Sequence, residues 1–333
     1  MSKIPNYIAI ALTTSCNLEC WYCKATGESI CPNMMETLKF DDLKKVVKIA
    51  YSLGISTFRI TGGEPTLVNY LPDFIHYVMN LGDNTKIRLN TNGHKLDDEK
   101  LLNVIEFYRD RMDIVISVDS VNEYIQGIHY PKYLSPKIRI LAKQLIKKEI
   151  PTRFNIVVTK YNISDVNTLI NESLTLGVNI KILDLIIRDE YYGIEKSIVG
   201  EDAVEFGKCS YAPLAPIIEH LEKISDKSKD EFHTWNGNGI KMGGFFFGKQ
   251  FVQIKDSLKG AKYSKVCIQE CPHFEECHEG LFSPFISVGN ILHISGCKYK
   301  KLYFNLNNKS EAEIKADFEQ ILTLFENTEL RKH

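Results

Sequence analysis

The sequence lacks the features of several large classes of protein. No stretch approaches the roughly 18 uninterrupted apolar residues of a membrane span, and the N-terminal MSKIPNYIAIALTTSC has no small-residue cleavage signal. Charge of one sign is also lacking, because 41 basic and 42 acidic residues leave a net charge of −1. A dominant nucleic-acid binder is usually basic, so that class is excluded. These absences predict a cytoplasmic protein with no nucleic-acid and no membrane partner.

Cysteine is the residue type whose pattern is most informative. The chain of 333 residues contains nine cysteines, an odd number that cannot all pair as disulfides. A chain of this size, with 44% apolar residues, needs no disulfides to stabilise its core. Grouped cysteines without a secretion signal predict metal or cluster ligands. Seven of the nine form an early and a late group: Cys16, Cys20 and Cys23, then Cys267, Cys271, Cys277 and Cys297.

The first 190 residues alternate between strand-like and helix-like segments. We expect Asp41 and Ser164 to be the N-caps of the first and last helices in this region. Several strands are apolar on both faces, which predicts an α/β fold with a parallel sheet covered by helices. Whether the sheet is flat or closes into a partial barrel is left open; in both cases chemistry collects at the carboxyl ends of the strands. The predicted strands are 7–13, 57–60, 86–90, 114–118, 153–158 and 179–185, and the predicted helices are 41–53, 71–81, 97–111, 134–148 and 164–176.

The pattern changes after about residue 190. Helices are predicted over 215–224 and 310–325, and the segment between them is rich in glycine and aromatic residues. A hairpin is expected near the end of that segment, with its turn at Gly289 and Asn290. These features predict a first domain over 1–190 and a loop-rich second domain over 191–333, which contains the late cysteines.

The early cysteines have the spacing C-x3-C-x2-C directly after the first predicted strand. Three thiolates can surround one metal site, and they leave the fourth iron of a [4Fe–4S] cluster without a protein ligand. A small molecule can bind and react at such an open position. A structural zinc site is the alternative, but it normally closes with a fourth ligand, and no histidine follows Cys23 within 50 residues.

A second motif, Thr61-Gly62-Gly63-Glu64-Pro65, follows the second predicted strand. Glycine permits close approach of the backbone, and Glu64 with neighbouring carbonyls can accept hydrogen bonds from an ammonium group. Together the two motifs resemble the signature of the radical S-adenosylmethionine (SAM) superfamily. The resemblance covers roughly residues 7–190 and implies a six-unit (β/α) partial TIM barrel. It also implies that Gly62, Gly63, Glu64 and Pro65 bind the methionine amino group of SAM.

The same resemblance implies further contacts with the cofactor at the strand ends. Asn92, Ser117 and Asn155 correspond to polar residues that contact the SAM ribose, its carboxylate or the substrate. Tyr22 corresponds to the aromatic position whose backbone meets the adenine. Arg188 follows the sixth strand, where a cation can hold a carboxylate or a phosphate; a solvent-facing salt bridge is the alternative.

The four late cysteines have the spacing C-x3-C-x5-C-x19-C, which suits a complete [4Fe–4S] ligand set or a zinc site. Their context resembles the auxiliary-cluster extensions of the GTP 3′,8-cyclase family and of the twitch and SPASM groups, which implies a second cluster. The chain departs from the cyclases because it has no arginine between Leu281 and His293 and no Gly-Gly end. Four ligands leave no open iron, so the resemblance implies a role in electron transfer or structure.

Two residues are candidates for direct catalytic roles. Cys209 is a candidate donor of a hydrogen atom to a substrate radical, with an inert buried thiol as the alternative. Asp184 is a candidate proton acceptor at the end of the sixth strand, and Asp119 is a second one. Cys31 and Lys255 are further candidates for the thiol and cation roles.

The resemblance implies an enzyme in which reductive cleavage of SAM yields a 5′-deoxyadenosyl radical that abstracts a hydrogen atom from the substrate. Its implied cofactors are SAM and two [4Fe–4S] clusters, with a flavodoxin- or ferredoxin-type electron donor. We expect a nucleotide- or sugar-like small molecule as substrate, since no peptide-recognition domain precedes the first strand. A ribosomal peptide that is crosslinked or epimerised is the alternative substrate. A non-catalytic protein that binds a cluster or zinc is the alternative from another class.

Overall fold

The structure is a computed structural model of the chain. It describes residues 5, 7–23, 36–185, 209–229, 242–275, 277, 280–295, 297 and 299–331. Among these residues no helix is long and apolar enough to cross a membrane.

Strands and helices alternate through the first half of the chain, as the sequence predicts. Each long strand except the last is followed by a helix that packs back on the sheet. The strands are β1 Tyr7–Ala11, β2 Thr57–Thr61, β3 Lys86–Thr91, β4 Met112–Ser117, the short pair β5 Tyr124–Ile125 and β6 Ile128–His129, β7 Thr152–Val158 and β8 Asn179–Asp184. The helices are α1 Phe40–Ser52, α2 Leu71–Met79, α3 Glu99–Phe107, α4 Pro136–Lys147 and α5 Ile163–Thr175.

Two predicted helix caps are each wrong by two residues. Helix α1 has Lys39 as its N-cap. Asp41 lies inside the first turn, where its carboxylate interacts favourably with the positive end of the helix dipole. Helix α5 has Asn162 rather than Ser164 as its N-cap. Asn162 takes this place because its buried side chain accepts from the Thr159 backbone N–H at 2.7 Å and ties the helix to the end of β7.

The second half of the chain adds strands to both edges of the same sheet. Its strand β11 pairs in parallel with β8, and its strand β13 pairs in parallel with β1. The twelve strands run in the order β15-β14-β13-β1-β2-β3-β4-β7-β8-β11-β10-β9. The added strands are β9 Lys227–Lys229, β10 Met242–Phe247, β11 Gln250–Lys255, β13 Pro284–Ser287, β14 Ile291–Ile294 and β15 Phe304–Asn305; β12 Ala261–Ser264 and β16 Thr328–Arg331 pair separately. The helices are α6 Ala215–Ile224, α7 Lys265–Glu270 and α8 Glu311–Thr323.

Two local predictions for this half are confirmed. Strands β13 and β14 form the expected antiparallel hairpin, and Gly289 and Asn290 in its turn have φ angles of 76° and 59°. Glycine and asparagine tolerate this left-handed conformation better than other residues. Helix α8 begins after Ser310, whose side chain forms a capping box with Glu313.

The two faces of the parallel part of the sheet differ in polarity. This finding corrects the expectation that several strands are apolar on both faces. In β3, β7 and β8, residues that are fully buried against the helices alternate with half-buried ones. The helix side holds the main hydrophobic core, including Ile87, Phe154 and Ile180. The opposite side contains charged residues such as Arg88, Arg153 and Lys181, which are half-buried.

This opposite face is concave. Four strands separate β1 from β8, so in a flat sheet they would lie about 24 Å apart at about 4.8 Å per strand. Yet Phe282 contacts side chains from both ends of this run. Its ring lies 6.1 Å from that of Tyr7 on β1, and Lys181 Nζ on β8 lies 5.9 Å from its centroid. The sheet therefore curls around Phe282.

Candidate functional site

The early cysteines lie in the loop that leaves the carboxyl end of β1. Cys20 is buried, and Cys16 and Cys23 are exposed. The Cys23 backbone N–H donates to the Cys20 carbonyl at 2.9 Å, and the Leu18 N–H approaches Cys16 Sγ at 3.4 Å. These contacts turn the loop so that the three thiols face the same end of the sheet as the residues described next.

The Gly-Gly-Glu-Pro segment packs directly on the strand that precedes the cysteine loop. The Gly63 N–H donates to the Thr13 carbonyl at 2.6 Å, and the Glu64 N–H donates to the Ser15 carbonyl at 2.8 Å. A Cβ atom on Gly63 would overlap the Ser15 and Thr14 carbonyl oxygens, and one on Gly62 would lie 2.5 Å from the Thr13 oxygen. The glycines therefore permit close contact between two segments of this chain, whereas the sequence had suggested close approach to a ligand.

The Glu64 carboxylate is buried and accepts four hydrogen bonds from this chain. Its Oε1 atom accepts from the Thr66 N–H, the Thr66 hydroxyl and the Thr91 hydroxyl at 3.0, 2.6 and 2.6 Å. Its Oε2 atom accepts from the Asn92 N–H at 2.7 Å. Oε1 is fully used, so only Oε2 retains room for a further donor such as an ammonium group.

Asn92 connects the third strand to the cysteine loop. Its side-chain amide donates to Asn17 Oδ1 at 2.8 Å, and its own Oδ1 accepts from the His94 N–H at 3.0 Å. Asn17 follows Cys16 directly, so this bond holds the loop in register with the end of β3. Asn92 is therefore both a turn residue and a contact of the cysteine loop, and its predicted contact with SAM stays a prediction.

Tyr22 is held by its side chain as well as its backbone. Its hydroxyl donates to Asp119 Oδ2, and Asp119 Oδ1 accepts from the Val157 N–H at 2.9 Å. Lys132 Nζ lies 3.3 Å from the same hydroxyl and 5.3 Å from the ring centroid. These contacts attach the cysteine loop to the ends of β4 and β7. Asp119 therefore holds the cysteine loop in place, and its role as a proton acceptor stays a prediction.

Electrostatic interactions couple the three early thiols to one another and to Lys132. Burial raises the pKa of the Cys20 thiol to about 12, an effect that the Lys132 ammonium opposes. Burial also raises the pKa of Cys16, with smaller contributions from Glu64 and Cys23. Burial alone would lower the pKa of Lys132, but its proximity to Cys20 and Asp119 raises it. A bound iron ion would reverse the shift in thiol pKa, since a coordinating thiol loses its proton.

The remaining predicted cofactor residues lie on the concave face. Ser117 and Asn155 are paired across β4 and β7 near their carboxyl ends. Asn155 Oδ1 is buried without a hydrogen-bond partner among the described residues, so it can accept from a bound molecule. Pro65 is buried and begins a short 3-10 turn that Glu64 caps. Arg188 lies outside the described residues, and so does Cys31.

The four late cysteines lie close together beside β12 and β14. Cys267 is in the first turn of α7, where the Ser264 hydroxyl caps the helix and contacts Cys267 Sγ at 3.3 Å. Cys271 follows that helix. Cys297 follows β14, and the Tyr299 N–H approaches its sulfur at 3.4 Å. Burial raises the pKa of Cys297 to about 12, and Cys267, Cys271 and Cys277 raise it further, which shows that the four thiols are neighbours.

Neither group of thiols converges on a point. Within the described ranges, no three His, Cys, Asp or Glu side chains are placed to hold a single metal ion. A [4Fe–4S] cluster binds each thiolate through a different iron and does not require such convergence.

The two catalytic candidates lie near the carboxyl ends of β7 and β8. Asp184 is buried, its Oδ2 accepts from the Ser257 N–H at 2.9 Å, and its Oδ1 has no partner among the described residues. Burial raises its pKa, and Ser257 partly offsets this. Cys209 is exposed, whereas the alternative expected a buried thiol, and its role as a hydrogen-atom donor stays a prediction. The adjacent Ser210 carbonyl accepts from the Lys160 N–H at 2.9 Å, which anchors this segment beside β7.

Sequence reasoning missed the contacts of Asn17 and Lys132 and the charged residues of the concave face. The contacts of Asn17 and Lys132 depend on tertiary packing and leave no signal in the sequence. The charged residues do leave one, because a cation interrupts the apolar alternation within several strands. Arg59, Arg88, Arg153 and Lys181 occur in TFRIT, KIRLNT, TRFNIVV and NIKILD.

Comparison with known proteins agrees with this geometry. The radical SAM superfamily profile matches residues 10–172, a span that includes the early cysteines, the Gly-Gly-Glu-Pro segment and Asn155. The chain is a radical SAM superfamily member. It is therefore an enzyme of the radical SAM class, and its family implies SAM and a [4Fe–4S] cluster as cofactors.

Several curated relatives are GTP 3′,8-cyclases. A probable GTP 3′,8-cyclase of Methanococcus aeolicus is 29% identical over 296 residues, which cover 83% of this chain and 84% of the relative. The probable GTP 3′,8-cyclase of Saccharolobus solfataricus is 30% identical over 66% of each chain. For the GTP 3′,8-cyclase of Hydrogenovibrio crunogenus the match is 28% identical and spans 57% of this chain and only 60% of the relative's length.

The fold is also similar to that of solved radical SAM structures. Streptococcus suis SuiB bound to S-adenosylmethionine aligns with 98% of this chain and 66% of its own, at a TM-score of 0.59 and 14% identity. SuiB bound to the precursor peptide SuiA aligns at a TM-score of 0.57. At this identity the likeness shows the fold alone.

The residues present fit the cofactors that the family implies. Three neighbouring thiols face the strand ends, Glu64 Oε2 retains room for a donor, and Asn155 Oδ1 is a buried acceptor without a partner in the described part of the chain.

Proposed function

We propose that this enzyme abstracts a hydrogen atom from a nucleotide- or sugar-like small molecule in a biosynthetic pathway. When bound to the protein, the cluster and SAM supply the electron and the 5′-deoxyadenosyl radical for that step. The protein supplies their position and excludes water. Cys16, Cys20 and Cys23 would hold the cluster, and Asn155, Ser117 and Glu64 Oε2 would contact SAM.

One observation carries this proposal: hydrogen bonds join the cysteine loop and the ends of four strands at one end of the sheet. Glu64 binds the ends of β2 and β3 together, and Asn92 binds β3 to the cysteine loop at 2.8 Å. Tyr22 and Asp119 attach the other side of that loop to β4 and β7. A loop that is held on both sides keeps its thiols in place. Binding of the cluster and SAM therefore requires little rearrangement of the protein.

The second half of the chain supports a proposal of an auxiliary [4Fe–4S] cluster. Cys267, Cys271, Cys277 and Cys297 are neighbours, and a cluster would join helix α7, the segment that follows it and the segment after β14. The division into a six-unit partial barrel over 1–190 and a twitch-like extension over 191–333 remains part of this proposal. Zinc at the late site is the alternative that metal analysis tests.

The proposal assigns direct roles to three further residues. Asp184 would accept a proton through its Oδ1 atom, which has no partner in the described part of the chain. Cys209 is exposed and would donate a hydrogen atom to a substrate radical. Arg188 would hold an anionic group of SAM or of the substrate. A flavodoxin- or ferredoxin-type protein would donate the electron.

A second candidate function is modification of a ribosomal peptide. The observation that favours it is the likeness in fold to SuiB over 98% of this chain, since SuiB has been solved with its precursor peptide. We favour the small molecule, because the curated relatives are GTP 3′,8-cyclases and the match to one of them covers 83% of this chain.

The test is anaerobic purification and reconstitution, followed by iron and sulfide analysis and a dithionite-driven assay for 5′-deoxyadenosine. We expect about eight irons in the wild type, and about four when the three early cysteines are replaced by alanine. Only the wild type should form the nucleoside. About four irons in the wild type, or zinc in the late site, would refute the auxiliary cluster. Failure to cleave SAM would refute the proposed activity.

A further inference from the structure

One short strand holds two of the four segments that carry the late cysteines. Strand β12 Ala261–Ser264 lies outside the twelve-stranded sheet and pairs with β16, near the C-terminal end of the described residues. The Tyr263 hydroxyl donates to the Cys277 backbone carbonyl. Ser264 is the last residue of the strand and the N-cap of α7, the helix that contains Cys267. The position of β12 therefore determines where these two thiols lie.

The Ser264 hydroxyl makes two contacts with the residue three positions further along the chain. Its oxygen accepts from the Cys267 backbone N–H at 3.2 Å, which caps the helix, and the hydroxyl lies 3.3 Å from Cys267 Sγ as a donor. A serine hydroxyl has a single hydrogen. Because its oxygen accepts from the N–H, that hydrogen remains for the sulfur. One group therefore caps the helix and also donates to a thiol.

The surroundings of Ser264 hold this hydroxyl in place. Ser264 is 2% exposed, and its backbone is paired with Thr328 on β16. A hydrogen bond in such a buried environment is stronger than one that water can reach. The Tyr299 N–H also approaches a late sulfur, Cys297 Sγ at 3.4 Å, but it is a backbone group that remains in any side-chain variant. The Ser264 hydroxyl is a sulfur contact that a substitution can remove.

Hydrogen bonds to the sulfur ligands help to set the reduction potential of an iron–sulfur cluster. Reduction adds negative charge, part of which lies on the sulfur ligands. A hydrogen bond becomes stronger as its acceptor becomes more negative. A donor to sulfur therefore stabilises the reduced form more than the oxidised form and raises the potential. A helix cap alone stabilises the protein equally in both forms, so it leaves the potential unchanged.

We propose that Ser264 is a positioning residue that raises the reduction potential of a [4Fe–4S] cluster at the late site. It acts through the sulfur of Cys267 and is not itself a ligand. The inference rests on the proposed function, because it names a determinant of the auxiliary cluster proposed there. The four ligands of that cluster would be Cys267, Cys271, Cys277 and Cys297.

The test is a redox titration, monitored by electron paramagnetic resonance, of the full chain with Cys16, Cys20 and Cys23 replaced by alanine. This parent lacks the ligands of the early cluster, so only the late cluster is titrated. We expect Ser264→Ala to shift the equilibrium about tenfold toward the oxidised form, which is about 59 mV for a one-electron couple. Ser264→Thr keeps the hydroxyl and should stay within about twofold of the parent.

Ser135→Ala in the same parent is the matched control, because Ser135 is also a buried N-cap. It is 7% exposed, and its hydroxyl accepts from the Ile138 N–H at 3.3 Å and contacts no sulfur among the described residues. This variant loses a cap but no sulfur contact, so its potential should stay within about twofold of the parent. Ser264→Gly removes the hydroxyl at a smaller capping cost than alanine and should lower the potential as Ser264→Ala does. Circular dichroism and iron content establish that each variant is folded.

Several results would overturn the inference, and they differ from those that refute the proposed function. A parent with about four irons whose potential is unchanged in Ser264→Ala would overturn the inference and leave the auxiliary cluster in place. A potential as low in Ser264→Thr as in Ser264→Ala would do the same. Loss of iron in both Ser264→Ala and Ser264→Gly would indicate that the hydroxyl retains the cluster and does not tune it. Zinc or no metal in the parent would refute the auxiliary cluster together with the inference.

Discussion

Lys181 provides the sharpest test of the electrostatics of the concave face. Lys181 is a half-buried residue, and its ammonium lies near Arg153, Lys255, Arg88 and Arg59. Replacing buried ionic groups with apolar side chains of similar volume stabilises proteins by about 1–4 kcal/mol. Lys181→Met removes the charge and keeps the length of the side chain. Because the residue as a whole is only half-buried, we expect the lower part of that range, about 1–2 kcal/mol.

A gain of this size is measurable as a shift in Tm. Each kcal/mol changes the Tm of a large domain by about 2–4 °C, so Lys181→Met should raise the Tm by about 2–8 °C. Lys249→Met, in the exposed β10–β11 turn, should leave it unchanged within about 1 °C. Scanning calorimetry under anaerobic conditions measures both. A Tm for Lys181→Met that equals or falls below that of the wild type would refute the reasoning.

The pH dependence provides a second measurement on the same variant. A lysine whose folded pKa is lowered releases its proton more easily in the folded state than in the unfolded state. Its contribution to the free energy of unfolding therefore rises with pH between the folded pKa and the unfolded value of about 10.4. The gain in unfolding free energy of Lys181→Met over the wild type is therefore largest below the folded pKa of Lys181. It decreases as the pH rises above that value. A difference in unfolding free energy between the variant and the wild type that increases with pH would contradict the lowered pKa of Lys181.

Three other substitutions test the site. Gly63→Ala places a Cβ against the Ser15 carbonyl, where backbone atoms cannot yield, so we expect a loss of about 2–3 kcal/mol in unfolding free energy and poor retention of iron. Tyr22→Phe removes the hydroxyl that donates to the buried Asp119 carboxylate, and chemical denaturation should show a loss of about 1–3 kcal/mol. Cys297→Ser should reduce the iron content from about eight to about four.

Controls for these substitutions are available in the same chain. Gly127→Ala is the control for Gly63→Ala, because a Cβ there meets no atom within 4 Å and only the φ of +80° opposes it, at about 1 kcal/mol. Equal effects at the two glycines would contradict the packing argument. If Tyr22→Phe is as stable as the wild type, the Tyr22–Asp119 hydrogen bond does not stabilise the cysteine loop. Unchanged iron in Cys297→Ser would exclude that thiol as a ligand.

The fold followed from the sequence where local signals agree. Alternating strands and helices, the Gly289–Asn290 turn and the Ser310 cap are encoded by short-range hydrophobic pattern and by residues suited to one backbone conformation. The attachment of β11 to β8 and of β13 to β1 was not predicted. Pairing between strands more than 70 residues apart depends on which edges are left open after the first half folds, and no local pattern encodes that.

The site was predicted as a set of residues and not as a structure. Spacing identified the cysteine loop and the Gly-Gly-Glu-Pro segment, because the chemistry needs those residue types close together in the chain. It assigned Glu64 and Asn92 to a ligand, which stays a prediction, and it did not indicate that both also hold neighbouring segments of this chain. Burial of Cys209, which belonged to the alternative for that residue, was wrong because the thiol is exposed; its role as a hydrogen-atom donor stays a prediction.

The sequence by itself determined the chemical class of this enzyme and the order of its strands and helices. Ligand spacing and hydrophobic periodicity are local properties, and a chain of any tertiary arrangement would carry them. Only the tertiary structure decided which charges face one another. Arg59 and Lys181 stand far apart in the sequence, and four strand spacings separate β2 from β8 in the sheet. They interact because the sheet curls, and curvature arises from twist and packing summed over many strands.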